Sequence, residues 1–125
     1  LSEIVSFVDK ATVVGLSGDL GAGKTTLVQE IASLLGIEEP VLSPTFVIAK
    51  RYATRDPRFQ SLVHIDAYRI DTLDELGPLG WEALIKEDGT LVVIEWPERI
   101  EEALPNWSKR YHISHDGEGR HITHV

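Results

Sequence analysis

The segment Gly18-Asp19-Leu20-Gly21-Ala22-Gly23-Lys24-Thr25 constrains this chain more than any other. It satisfies the phosphate-binding pattern G-x-x-x-x-G-K-[ST], and its flanks supply the elements that pattern needs. Before it, Thr12-Val13-Val14-Gly15-Leu16-Ser17 is dense in β-branched and apolar residues and reads as a buried strand. From Lys24 onward, Leu27, Val28, Ile31, Leu34 and Leu35 recur at helical spacing, and Gly36 stands where a C-cap glycine belongs. Glycines at 18, 21 and 23 let the bend adopt conformations closed to other residues, so that successive N–H groups can face an anion at a helix N-terminus. Lys24 would bring a charge to the β- and γ-phosphates, and the Thr25 hydroxyl would hold a Mg²⁺ bridging the same oxygens. Only a nucleoside triphosphate uses the whole set.

A chain of 125 residues is expected to form a single domain around one core. It contains no cysteine, which removes disulfides, thiolate metal sites and thiol nucleophiles and fits a reducing, cytoplasmic setting. No apolar run approaches the roughly 18 residues of a membrane span, so no membrane association is expected. The formal charge of −8 argues against a direct grip on nucleic acid, since phosphate backbones are held by basic faces. Leu1 is not an initiator methionine, so the N-terminus is expected to be truncated.

Taken in order, Leu1 to Lys10 suggests a short amphipathic helix. Pro40 and Pro44 keep Ser43-Pro44-Thr45-Phe46 extended, with the Ser43 and Thr45 hydroxyls on a stiff loop. Phe46–Tyr52 and Ser61–Asp66 read as antiparallel strands joined by Thr54-Arg55-Asp56-Pro57-Arg58. Asp71–Leu76 predicts a capped helical turn stopped by Gly77-Pro78, and Trp81–Lys86 a further short helix. Leu91-Val92-Val93-Ile94-Glu95 is an apolar run ending on a carboxylate, the pattern of a central strand. Pro97–Leu104 should be helical, with Glu98, Glu101 and Glu102 outward. Tyr111–Val125 predicts a hairpin about Asp116-Gly117-Glu118-Gly119, pairing Ile113 with Ile122 on the core side. That register sets no two of His112, His115, His121 and His124 directly opposite, which favours a solvated sheet edge over a zinc site.

A phosphate loop also needs a carboxylate at the end of a neighbouring parallel strand. Glu95 fits as the metal-side group, directly or through water, because its strand reads as buried on both faces. Asp66 ends a strand that His64 and the hairpin partner place nearer the edge, which suits a water-orienting role or simply a turn cap ahead of Ala67-Tyr68-Arg69. Thr45 could sense the γ-phosphate through Mg²⁺, or could bond its own backbone as a turn hydroxyl.

The loop motif with Thr26, Ser43-Pro44-Thr45-Phe46, His64-Ile65-Asp66-Ala67-Tyr68-Arg69 and Ile94-Glu95-Trp96-Pro97, in this order, resembles the bacterial TsaE family over about residues 12 to 105. The resemblance implies an ATPase, with ATP and Mg²⁺ as cofactors, in the pathway that makes threonylcarbamoyladenosine in tRNA. Its partners would be the TsaB and TsaD proteins, with tRNA reached only through the complex. It assigns the nucleotide loop to Gly21, Ala22, Gly23, Lys24, Thr25 and Thr26, the Mg²⁺ ligands to Thr25 and Glu95, and switch-like and acidic roles to Thr45 and Asp66. Lys24, Thr45, Asp66 and Glu95 would then serve hydrolysis, with Trp96 an aromatic beside the site. The expected architecture is one α/β, P-loop NTPase-like, three-layer domain with a mixed sheet, parallel at its centre and antiparallel at its flanks.

Other classes use the same loop. A P-loop small-molecule kinase would need an arginine-bearing lid, for which Arg55-Asp56-Pro57-Arg58 is the candidate, although kinase lids come later in the chain. A GTPase is disfavoured by the absence of an N-K-x-D guanine motif, and a nucleotide-binding scaffold would not hydrolyse at all.

Overall fold

A computed structural model of the chain describes residues 10–18, 23–38, 49–116 and 119–125. Six strands, β1 (Thr12–Ser17), β2 (Ala49–Ala53), β3 (Ser61–Asp66), β4 (Thr90–Glu95), β5 (Lys109–Asp116) and β6 (Gly119–His124), form one sheet in the order β2-β3-β4-β1-β5-β6. The four inner strands run parallel, while β2 and β6 pair antiparallel at the two edges. This is the mixed α/β sheet the sequence predicts. All six residues of β4 are buried, as its unbroken apolar run requires of a strand covered on both faces.

Strand alternation divides the core into two layers. Val14, Leu16, Leu62, Leu91 and Val93 face α1 (Lys24–Leu34) and pack on its Val28, Ile31 and Ala32, with Leu35 just beyond. Val13, Val63, Ile65, Val92 and Ile94 face the opposite way, onto Leu76, Trp81, Leu84, Ile85 and Ile100. Those residues come from a 3-10 helix at Leu73–Leu79, from α2 (Trp81–Leu84) and the Ile85 that follows it, and from a second 3-10 helix at Pro97–Ala103. Gly15 in β1 is needed for one of these contacts: a Cβ built there would stand 2.8 Å from Cβ and 2.9 Å from Cγ of Pro97.

The end of the sheet where the parallel strands begin is tied by polar groups. Arg51 donates to Ser61 Oγ and to both carboxylate oxygens of Glu87, and Glu87 accepts from the Thr90 hydroxyl. The Arg51 hydrogen bonds lower the Glu87 carboxyl below its usual range and raise the guanidinium in turn. Ala11 donates its N–H to the Ile85 carbonyl and accepts from the Trp107 indole.

Several expectations need correction. The turn after Asp71 does not stop at Gly77-Pro78. It continues to Leu79 with Pro78 inside a 3-10 helix, and the next turn is closed past the proline by the Gly80 N–H on the Gly77 carbonyl. Glu75 caps its start, accepting from the Thr72 and Asp71 amides, which lower its carboxyl. Pro97–Ala103 is helical with its glutamates exposed, but as a 3-10 segment broken at Ile100 (φ −128°, ψ 28°). Ile113 does pair with Ile122, yet only Ile113 is buried; Ile122 on the edge strand is 47% exposed. Leu34 is 65% exposed, and Ala32 takes the inward place in the α1 stripe. Gly36 has the left-handed conformation of a C-cap glycine. The expected helix before residue 10, the strand over 46–48 and the extended Ser43–Phe46 loop lie outside the described residues.

Candidate nucleotide site

Because β1, β3, β4 and β5 are parallel, their C-terminal ends collect at one rim, the place where open α/β sheets bind ligands. The sequence loop leaves β1 at that rim. Gly18 and Gly23, at its two described ends, have φ of 144° and 95°, values a side-chain-bearing residue rarely adopts. Leu27 N–H closes the first turn of α1 on the Gly23 carbonyl. Gly21, Ala22 and Thr45 lie outside the described residues, while Thr26 is exposed on α1.

Lys24 is the first residue of α1 and is only 5% exposed. Its Nζ donates to the Gly18 carbonyl at 2.6 Å and lies 4.1 Å from the centre of the Trp96 ring, so the cation sits between the loop backbone and an aromatic face. Thr25, one residue on, projects its Oγ1 to within 3.1 Å of Oε1 and 3.0 Å of Oε2 of Glu95. Glu95 ends β4, pairs in register with Leu16 of β1 and Asp66 of β3, and is itself buried. The sheet therefore brings together Lys24, Thr25 and Glu95, three of the residues the sequence singles out. The oxygens of Thr25 and Glu95 are hard donors suited to Mg²⁺.

Asp66 stands beside Glu95, and its Oδ1 accepts the Tyr68 N–H at 3.0 Å, which is the turn-cap arrangement. Trp96, directly after Glu95, is the described non-glycine residue with positive φ (63°). That conformation is costly for a bulky side chain. It turns the chain into Pro97 while the Trp96 N–H bonds the Leu16 carbonyl at 3.2 Å. The Trp96 ring also packs on Tyr68, centroids 5.0 Å apart.

One participant is missing from the sequence reading. His64 signals a strand nearer the edge there, and β3 is indeed next to the edge strand, but the side chain is fully buried and its Nε2 lies 2.5 Å from Glu95 Oε2. The usable signal is alternation. His64 shares a face with Leu62, which packs towards α1, as do Val93 and Glu95 on the neighbouring strand. Among the described residues no group of three ligating side chains that could hold a metal ion occurs, and the His115 side chain lies outside them. The lid candidate is displaced from the site altogether. Residues 54–60 precede β3, at the far end from Asp66 and roughly 20 Å away at a strand's rise per residue. There Arg58 is bonded to Asp56, and Arg55 pairs with Glu38.

A family model described as "Threonylcarbamoyl adenosine biosynthesis protein TsaE" matches residues 1–122. Curated relatives named tRNA threonylcarbamoyladenosine biosynthesis protein TsaE include one from Mycobacterium tuberculosis, 42% identical over 98 residues (74% of this chain and 57% of that protein). The Bacillus subtilis relative is 42% identical over 100 residues (80% and 60%), and that of Treponema pallidum 37% over 101 residues (81% and 71%). A crystal structure of B. subtilis YdiB superposes with a TM-score of 0.68 at 36% identity, covering 94% of this chain and 70% of that one. The chain spans a little over half the length of the mycobacterial relative.

Proposed function

The chain belongs to the TsaE family of tRNA threonylcarbamoyladenosine biosynthesis proteins, and from that premise we propose that it is the pathway's ATP-binding and ATP-hydrolysing subunit. The observation that carries the proposal is the hydrogen-bonded pair of Thr25 and Glu95 beside the buried Lys24. A threonine opening the helix after a phosphate loop, bonded to a carboxylate ending the next parallel strand, is what a magnesium nucleotide site requires. Burial adds to the argument, because a lysine and a glutamate at 5% and 4% exposure are costly to the fold unless they serve one another or a ligand.

In this reading Lys24 and the loop amides bind the phosphates, and the low-dielectric surroundings strengthen Lys24's attraction for them. Glu95 accepts the Thr25 hydroxyl hydrogen, which leaves the Thr25 oxygen lone pairs free to face a cation. Mg²⁺ held by Thr25 and Glu95 would neutralise charge on the β- and γ-oxygens. Asp66 orients the attacking water, and Thr45 senses the γ-phosphate. Trp96 and Tyr68 cover the flank beside Lys24 and restrict water there. Turnover is slow and depends on TsaB and TsaD, which read the nucleotide state by protein contacts. A net charge of −8 suits a cytoplasmic subunit that reaches tRNA only through those partners, and among the described residues no helix is long and apolar enough to cross a membrane.

The kinase reading is disfavoured by the position of its lid candidate at the opposite end of the sheet, with Arg58 engaged by Asp56. Single-turnover ATP hydrolysis, with and without TsaB and TsaD, tests the proposal. Partner-stimulated release of phosphate is expected, and Lys24→Ala should weaken ATP binding at least about a hundredfold, about 2.7 kcal/mol. ATP affinity unchanged in that variant would overturn the assignment, and stimulation by a small hydroxyl compound without protein partners would favour the kinase.

A further inference from the structure

The geometry points to His64 as a positioning residue for the nucleotide site: it fixes the Glu95 carboxylate so that the Thr25 hydroxyl hydrogen is held away from the incoming cation. This rests on the reading of Thr25 and Glu95 as the metal side of that site.

His64 is fully buried in β3 between Val63 and Ile65, a position that an aliphatic residue would fill without polar cost. One nitrogen of its ring, Nδ1, has no hydrogen-bond partner among the described residues. The other, Nε2, lies 2.5 Å from Glu95 Oε2. An ionised carboxylate can only accept, so Nε2 carries the hydrogen and donates. Packing alone does not account for a ring half-satisfied among the described residues, whereas the hydrogen bond it makes there ends on the carboxylate of the site.

The consequence follows from counting hydrogens. Thr25 Oγ1 is nearly equidistant from the two Glu95 oxygens, at 3.1 and 3.0 Å, but it has one hydrogen to give. With Oε2 engaged by His64, Oε1 is the less occupied acceptor and the carboxylate plane is pinned at one corner. The Thr25 hydrogen then has a fixed destination, and its lone pairs a fixed direction. Without Nε2–H, the carboxylate can turn about its last torsion and the hydroxyl can rotate with it, so a cation must first order both groups. The effect of His64 passes through Glu95, the partner of its Nε2.

The test compares His64→Leu, His64→Asn and His64→Gln with the parent chain. A glutamine amide reaches the place of Nε2, whereas an asparagine amide reaches only that of Nδ1. MgCl₂ is titrated against protein and ATP in a binding assay, ATP binding is repeated in EDTA, and kcat and KM are measured with TsaB and TsaD. His64→Leu and His64→Asn should each raise the Mg²⁺ concentration at half-saturation about tenfold and lower kcat by a similar factor, leaving EDTA-state ATP binding and KM within about twofold. His64→Gln should recover most of both losses. The inference is overturned if Asn and Gln behave alike, or if a folded His64→Leu keeps the parent's Mg²⁺ dependence. Should His64→Leu fail to fold, the Asn and Gln pair decides. A parent chain that binds no ATP with or without Mg²⁺ would instead overturn the nucleotide reading itself.

Discussion

Gly15→Ala adds one methyl group where the structure leaves no space for it. The new Cβ would stand 2.8 Å and 2.9 Å from two ring carbons of Pro97, whereas carbon atoms settle at about 3.5–4.0 Å. Some 0.7 Å or more must therefore be found. Pro97 is buried, its ring can change only its pucker, which leaves Cβ nearly in place, and β1 is bonded to β4 on one side and β5 on the other. Overpacking of this kind costs about 1–3 kcal/mol, and a rigid obstacle places this site at the upper end. The smaller conformational freedom of the unfolded alanine chain returns about 0.4–1 kcal/mol, for a net loss of about 2 kcal/mol. For a domain of this size that is a fall in Tm of roughly 6–12 °C. Urea unfolding followed by circular dichroism measures it. Gly77→Ala is the control, since a Cβ at Gly77 meets nothing within 4 Å beyond its chain neighbours and its φ is not positive; with only the ring of Pro78 to crowd it, it should stay within about 1 kcal/mol of the parent. Any relief must also move the Trp96-Pro97 segment, so the indole fluorescence should change in Gly15→Ala alone. A loss below about 0.5 kcal/mol would refute the claim that β1 and Pro97 are in obligatory contact.

Glu95→Gln keeps the shape but removes the charge that orients Thr25, so ATP affinity should change less than about fivefold while single-turnover hydrolysis falls about a hundredfold; equal losses in both would make Glu95 a fold residue. Asp56 accepts from the Arg58 guanidinium and from the Arg58 amide, which hold its pKa down at about 2. A carboxyl lowered on folding contributes stability above its unfolded pKa, near 3.8, and loses it as pH falls towards 2. Thermal melts across that window should show a shallower acid decline in Asp56→Asn than in the parent, and an identical decline would sink the assignment.

Much of this was legible because the signals are local. The strand-loop-helix unit at 12–36, the central character of Leu91–Glu95 and the pairing of Ile113 with Ile122 each follow from a pattern within one segment or hairpin. What stayed hidden depends on which strands become neighbours. His64 resembles an edge residue until β4 is placed beside β3 and its ring meets Glu95. Ile122 resembles a core residue until β6 proves to be the outermost strand. The Lys24–Trp96 contact joins residues 72 positions apart through the left-handed turn at Trp96, and no periodicity announces a non-glycine residue in that conformation.

The polar ties among Arg51, Ser61, Glu87 and Thr90 have a practical meaning for anyone altering this protein. They occupy the sheet end remote from Lys24 and Glu95, so this share of the fold's stability is held apart from the candidate site along the strand axis. Changes confined to that end should lengthen or shorten the lifetime of the folded chain while leaving Lys24, Thr25 and Glu95 in place, which gives an engineer a handle on durability alone.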